Sequence, residues 1–504
     1  MIDMLSASKN RPRIDFRLVT GIMGSFILFL GLTLLLPMLI AFVYGESSWD
    51  AFFITGVGAM ALGGFLFYEF KPKEELRMRE AFLVVSLTWF VGSLIGAFPF
   101  LISGTLESYT DAVFETMSGF TTTGATILNG VTSDGIQNPM IEDLDKSLLF
   151  WRSLTHWMGG MGIIVLTLAL LPLLGIGGMQ LYQAEYSGST SDKLTPRIQE
   201  TAFLLWSIYV GLTFAQFLLL WLHPSMDWFE AINHAFSTLA TGGFSTQNDS
   251  VAGFDSVYID IVIIVFMILA GVNFAMHFKL FKGDVKSFMN NREIRFYLLV
   301  IVSFTIAISG GLWILQDYSI GDAIRYGSFQ VVSIVTTTGF GTDDYVLWVP
   351  FTSFLLFILF FSGGCAGSTG GGIKMIRLMI IAKNIGRELK QIVHPQAIVP
   401  VRVGDRVIDS SILKTILGFF VAYFLIFVIG SLAMSLMGYD FMSSMGATIA
   451  SLSNIGPAWG EFGPIEEYAS VPYAGKWLLL ILMMIGRLEL FTVLILFTPW
   501  FWKN

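Results

Sequence analysis

The chain has 504 residues, 54% of them hydrophobic and only 13% charged. A soluble globular domain carries about 25% charged residues, so the composition excludes a soluble enzyme or a nucleic-acid-binding module and indicates a multi-pass membrane protein resting in a lipid bilayer. The net charge of −8 comes from 37 acidic and 29 basic residues that are unevenly placed, and the single cysteine, Cys365, rules out an intrachain disulfide.

The first 17 residues are polar and basic (Lys9, Arg11, Arg13, Arg17) and lead into a long apolar run without a small-residue cleavage site, which reads as a retained first span. Crossing a hydrocarbon core of ~30 Å takes about 20 residues. Ten stretches meet that length, near 17–43, 50–68, 81–104, 148–175, 201–222, 257–281, 296–316, 350–384, 411–437 and 475–501. The first two form a hairpin; the other eight form four pairs.

Between the members of each pair lies a Gly-centred segment. They read Thr121-Thr122-Thr123-Gly124, Ala240-Thr241-Gly242-Gly243-Phe244, Thr336-Thr337-Thr338-Gly339-Phe340-Gly341 and Ser453-Asn454-Ile455-Gly456-Pro457. The aligned glycines are Gly124, Gly243, Gly339 and Gly456, at spacings of 119, 96 and 117 residues, too long for a solenoid and suited to fourfold duplication of a span–loop–span unit. The predicted organisation is a cytoplasmic N-terminus with a two-span hairpin (1–76) and pore repeats over 77–199, 200–291, 292–405 and 406–504. The fold class is all-α and polytopic, with the four repeats around a pseudo-fourfold pore.

A short amphipathic stretch precedes each glycine: Asp111–Gly119, Asp227–Thr238, Asp322–Val335 and Asp440–Leu452. Each begins at or near an Asp, a favourable residue at a helix N-terminus, and each is too short to span, so we read re-entrant pore helices. Non-helical backbone at membrane depth is tolerated only where it lines water or is buried in protein, and a row of carbonyls facing one axis requires backbone conformations closed to residues with a Cβ. One such segment alone is most simply a loop turn. Four copies in equivalent places predict a cation filter made of Thr122, Thr123, Gly124, Thr241, Gly242, Gly243, Thr337, Thr338, Gly339, Asn454, Ile455 and Gly456, with K+ as the transported ion.

Basic residues concentrate in alternate connections: Lys71, Lys73, Arg77 and Arg79; Lys279, Lys282, Lys286, Arg292 and Arg295; and a large group from Lys374 to Lys414. The opposite connections hold few (Lys146, Arg152, Arg325, Lys476) among many acids. The positive-inside rule therefore places both termini in the cytoplasm, with an acidic exterior that concentrates cations at the entrance.

The stretch 350–384 is too long for one span, and its middle carries Gly363, Gly364, Gly367, Gly370, Gly371 and Gly372. At about 1 kcal/mol per glycine an uninterrupted helix is not expected there; two half-helices joined by an intramembrane loop are. A packing kink is the alternative, and a phosphate-binding loop fails for want of a preceding strand and of the Gly-Lys-Ser/Thr order. Arg487 lies within the last stretch, where a charge faces a cavity or a partner. Glu489 points away from it round the helix. A structural anchor and a charge beside the ion path are both open for Arg487. His156 and His234 read as packing or hydrogen-bonding residues, and no metal-ligand spacing or nucleophile–base set suggests an enzyme.

These segments resemble the Trk/Ktr/HKT superfamily of potassium transporters over essentially the whole chain, and within it the TrkH-type subunits. The resemblance rests on Arg152-Ser153-Leu154-Thr155-His156-Trp157-Met158-Gly159-Gly160-Met161-Gly162, Ala270-Gly271-Val272-Asn273-Phe274, Gln330 to Phe340, and Gly486-Arg487-Leu488-Glu489-Leu490-Phe491-Thr492. It implies potassium uptake across the inner membrane of a bacterium, with the 363–372 loop and Arg487 as a gate below the filter and no organic cofactor in this chain. It also implies a homodimer and a docked ring of cytosolic nucleotide-binding RCK subunits. In that family Ser in place of the first filter glycine goes with sodium transport, so Gly124 favours potassium over the alternative of a sodium-permeable or sodium-coupled transporter. The fourth loop departs from the pattern: Ala458 follows Pro457 where a second Gly is expected.

Overall fold

The computed structural model describes residues 14–71, 77–174, 198–404 and 406–503. Lys9, Arg11, Arg13, Lys73 and the predicted boundary residues 76 and 405 lie outside these residues. Helix occupies all ten predicted stretches, and six helices are long and apolar enough to cross a membrane, or eight if two bent pairs each count as one span. The only sheet among the described residues is a two-stranded hairpin, Arg402–Val403 against Arg406–Val407, inside the basic segment.

The N-terminal hairpin packs through glycines. A Cβ on Gly24 would lie 2.6 Å from the Phe67 nitrogen, and one on Gly63 only 2.4 Å from that of Leu28, so Phe16–Thr33 and Trp49–Glu69 meet backbone to backbone. Small residues permit this close approach where lipid offers no hydrophobic drive for helix association.

The four short helices run Tyr109–Phe120, Trp228–Leu239, Ile320–Val335 and Phe441–Ser453. Asp227 and Asp440 are N-caps, as expected, their carboxylates accepting from backbone N–H groups of the first turn. The first and third helices start two residues earlier than the sequence suggested. There Ser108 and Ser319 hold the cap and accept from the N–H of Asp111 and Asp322. A Ser cap with an acid three residues on satisfies the open N–H groups as well as an Asp cap does, and leaves the acid free for other partners.

Two stretches read as single spans are broken. Val257–Ala270 and Phe274–Phe281 meet at 100°, and Tyr473–Arg487 turns by 114° into the helical segment from Phe491. At the first break Asn273 caps the new helix, accepting from Ala275 N at 2.9 Å. At the second, Glu489 and Leu490 take left-handed φ of 59° and 44°. Smaller interruptions occur at Leu34 and Ala97. The stretch 350–384 divides, as expected, into Pro350–Leu359 and Met375–Val393 with the glycine-rich loop between them.

Candidate functional site

Each short helix ends in the same way. The residue at C′ takes a left-handed conformation: Thr122 (φ 51°), Thr241 (55°), Thr337 (59°) and Asn454 (57°). The next residue donates its N–H back to the helix: Thr123 to Ser118 O (2.9 Å), Gly242 to Ser237 O (2.8 Å), Thr338 to Ser333 O (2.8 Å) and Ile455 to Ala450 O (2.9 Å). With the shorter bond from each C′ residue this is a Schellman motif, whose usual C′ residue is Gly or Asn. Three of the four use threonine, a β-branched residue for which positive φ is a genuine outlier. Backbone strain of this kind costs about 1–3 kcal/mol each and persists only where the surroundings dictate it. Here the surroundings include paired hydroxyls, Thr121 with Thr123 and Thr336 with Thr338, each at 2.8 Å.

The glycine that follows is left-handed in every copy, with φ 81° at Gly124, 80° at Gly243, 81° at Gly339 and 94° at Gly456. These glycines close a ring. A Cβ on Gly124 would lie 2.1 Å from the Gly242 carbonyl oxygen, one on Gly243 2.1 Å from that of Thr338, one on Gly339 1.8 Å from that of Ile455, and one on Gly456 2.6 Å from that of Thr123. Each glycine thus abuts the carbonyl that precedes the glycine of the next repeat, and the fourth returns to the first. All twelve predicted filter residues are brought together in this ring. The N–H groups of the two residues before each glycine are spent on their own helix. The carbonyls of Thr122, Thr123, Gly242, Gly243, Thr338, Gly339 and Ile455 accept no hydrogen bond from the described residues; Gly456 O takes the Tyr468 hydroxyl at 2.7 Å.

One side of the ring opens into a pocket to which all four loops contribute, through Gly124, Gly243, Gly339 and Pro457 among others. The basic residues expected on that side are each tied to an acid. Arg152 bonds Glu115 at 2.7 Å and lies over the Phe244 ring. Lys476 bonds Asp111 at 2.6 Å, both fully buried. Arg325 bonds Asp260 at 2.6 Å, and Lys146 stands 4.0 Å from Asp227. Three of these pairs fasten a short helix to a neighbouring repeat or to its own span. Sequence reasoning missed them, because partners 37 to 365 residues apart leave no local signal. His156 is a packing residue, stacked on Phe244 at 4.0 Å; His234 bonds Ser245 and the Glu230 carbonyl.

The other side of the ring is closed by the 363–372 loop. Gly371 donates its N–H to Thr337 Oγ1 at 2.6 Å, and the Thr369 hydroxyl bonds Leu239 O at 3.0 Å. A Cβ on Gly371 would reach 2.3 Å from Ser453 O, and one on Gly370 3.0 Å from Thr336 O, so the loop lies directly on the C-terminal ends of the short helices. Gly363 packs on Gly371, Gly364 on the Gly271 backbone, and Gly367 and Gly372 have φ of 78° and 60°. The break in the second repeat supplies the loop's other anchor: Cys365 N donates to Gly271 O at 2.8 Å, and Phe274 N to Gly367 O at 3.1 Å. A helix, Pro350–Leu359, precedes this loop, so it is not a strand–loop–helix phosphate site.

Arg487 lies against the loop, where the family resemblance placed it. Its Nη1 donates to Thr369 O at 2.6 Å and its Nη2 to Gly159 O at 3.2 Å, while the residue is 2% exposed. Glu489 does not pair with it; its carboxylate bonds Arg377 instead. Two neighbours escaped sequence reasoning. Lys374, assigned to the basic cytoplasmic face, is buried and folds its ammonium onto the Gly370 carbonyl. Glu293 fixes the loop from behind, accepting from Ala366 N at 2.7 Å and Ile376 N at 3.1 Å.

Comparison with known proteins fits this geometry. Residues 48–503 match the TrkH family, described as cation transport protein. The chain is 43% identical over 494 residues to the Trk system potassium uptake protein TrkH of Escherichia coli K12, covering 97% of this chain and all of that one. It is 36% identical to TrkG of the same organism, over 97% of this chain and 99% of the relative. The crystal structure of the potassium transporter TrkH from Vibrio parahaemolyticus superposes with a TM-score of 0.88 at 39% identity, covering 97% of this chain and all of that chain.

Proposed function

The chain belongs to the TrkH family of cation transport proteins, a family of transporters and not of enzymes, and on that premise we propose that it takes up potassium across a bacterial cytoplasmic membrane through the ring of four loops. The observation that carries this reading is the ring itself: four equivalent backbones, N–H groups turned to their own helices, carbonyls left unengaged, and each glycine seated against the next repeat's carbonyl. Unengaged carbonyls around an axis replace an ion's hydration shell. The short helices end at the ring, so the partial negative charge of each C-terminus adds a cation-favouring field. With every outer basic side chain tied to an acid, the remaining carboxylates, Glu466 at the ring's mouth among them, leave that entrance negative. The 363–372 loop acts as the gate, held shut by Arg487. Passage is passive unless a partner couples energy to it.

By the same premise the chain works as a homodimer docked on cytosolic nucleotide-binding RCK subunits. Exposed Lys383, Lys390, Arg402 and Lys414 supply a basic face for them, and native mass spectrometry of the subunit mixed with such a ring tests the docking. Flux into liposomes containing this chain alone tests the ion: potassium and rubidium are expected to enter, sodium and lithium to be excluded. Equal sodium and potassium fluxes would refute the reading in favour of a sodium-permeable transporter.

A further inference from the structure

Behind the glycine-rich loop lies a small cavity lined by Ser368, Lys374, Arg377, Arg487 and Glu489, with Phe419 and Tyr423 as apolar walls. Three of those side chains are cationic and one is a carboxylate, which is already engaged by Arg377. Glu293 does not line the cavity, and its oxygen holds two backbone N–H groups. Lys374 bonds the Gly370 carbonyl and lies within the electrostatic reach of Glu489 and Glu293, whereas Arg487 bonds only carbonyls, so three cations share two carboxylates and leave a net positive charge. Burying an excess of like charge is costly.

The same cavity carries spare donors. Ser368 Oγ, Arg377 Nη1 and Arg487 Nε are buried without a hydrogen-bond partner, in residues of which Ser368 and Arg487 are 3% and 2% exposed. The backbone N–H groups of Gly370 and Gly372 also have no acceptor among the described residues. Donors without acceptors, beside an excess of positive charge, are the chemistry of an anion site. The volume open to the centre of a water-sized sphere is about 10 Å³, room for roughly one water or one monatomic ion, and too little for phosphate.

We propose that this cavity binds a halide ion, chloride under physiological conditions, which neutralises the cationic cluster behind the loop. Binding stands on the cavity alone. Its consequence, that the halide stabilises the closed loop and opposes potassium passage, rests on the gate reading above.

The test uses the full chain in detergent at fixed potassium and ionic strength, with chloride, bromide, gluconate or phosphate as the varied anion. Melting temperature is expected to rise saturably with chloride and bromide and not with gluconate or phosphate. Arg377→Gln removes one of the three cations and should raise the half-saturating halide concentration at least about tenfold. Ser368→Ala, which leaves all charges in place, should raise it less. Crystals soaked in bromide should give an anomalous peak within hydrogen-bond distance of Ser368 Oγ. Superimposable halide and gluconate curves, a peak elsewhere, or unchanged halide affinity in both variants would overturn the proposal. None of these readouts depends on whether the ring passes potassium, so the two readings stand or fall apart.

Discussion

The ring geometry predicts a graded response to adding a methyl group at its four glycines. At Gly339 the new Cβ would start 1.8 Å from Ile455 O, and real Cβ contacts essentially never fall below 3.0 Å, so that carbonyl must retreat by about 1.2 Å. At Gly456 the starting distance to Thr123 O is 2.6 Å, and a retreat of about 0.4 Å suffices. Both sites also incur the left-handed backbone penalty of roughly 1–2 kcal/mol, so that term cancels in the comparison. A carbonyl displaced by more than an ångström no longer matches an ion held by its neighbours, and a loss of about 1.4 kcal/mol of differential binding is tenfold in selectivity. Gly339→Ala is therefore expected to lower the potassium-to-sodium permeability ratio at least ~tenfold, Gly456→Ala less, and Gly124→Ser and Gly243→Ala, both starting at 2.1 Å, between them. The assay is competitive cation flux in liposomes at matched protein content, with melting temperature measured on each preparation. An unchanged ratio in all four folded variants, or Gly456→Ala as the most damaging, would refute the assignment of this ring as the filter.

Arg487→Ala removes two charge-assisted bonds, each worth about 1.5–3 kcal/mol, and should raise basal potassium flux per folded molecule, whereas Arg487→Lys should raise it less; a stable Ala variant with parental flux would remove Arg487 from the gate. Deleting two residues within 363–372 is expected to increase flux without altering the potassium-to-sodium ratio, because the loop's contacts are to helix ends and not to the ring glycines; a changed ratio would place the loop in the filter. Lys476→Met leaves the Asp111 carboxylate buried alone and should destabilise by about 3–5 kcal/mol. Adding Asp111→Asn should restore most of that, read as melting temperature in a double-mutant cycle; additive losses would mean the pair is not coupled.

Repetition made the ring legible. One Thr-Thr-Gly segment is an ordinary turn, but four of them, each after a short amphipathic stretch, identify Gly124, Gly243, Gly339 and Gly456 as equivalents without any knowledge of the fold. The glycine-rich loop was legible for a different reason, since six glycines from 363 to 372 cannot sustain a helix. Other features had no such mark. The long apolar run 475–501 contains the turn at 487–490, and neither Gly486 before it nor Arg487 and Glu489 within it marks a 114° bend. Hydropathy runs unbroken across Gly271–Asn273, where a lone glycine is weak notice of a 100° bend. The ammonium of Lys374 was read with the basic segment it introduces, because a long flexible side chain carries no sign in sequence of which way it folds. The left-handed threonines were hidden too: propensity argues against Thr at C′, and only the constraint of a closed ring overrides it.

The two readings that the sequence left open for Arg487, structural anchor and charge beside the ion path, are compatible with one arrangement. The guanidinium bridges Thr369 O, in the loop of the third repeat, and Gly159 O, in the first repeat, from a helix of the fourth. The second repeat joins through Ala270 and Gly271, whose carbonyls hold Thr369 and Cys365. All four repeats thus converge on the residues that close this side of the ring, and the spans that follow the ring loops in three of them are broken at that convergence. A break frees backbone carbonyls and N–H groups that an intact helix would consume, and buried polar groups so freed must find partners. They find one another, and they find Arg487. Moving the loop would expose those groups together, so the observed arrangement is favoured by a cooperative set of bonds; on the proposed gate reading, the charge that opposes a cation is held by the same bonds that hold the loop.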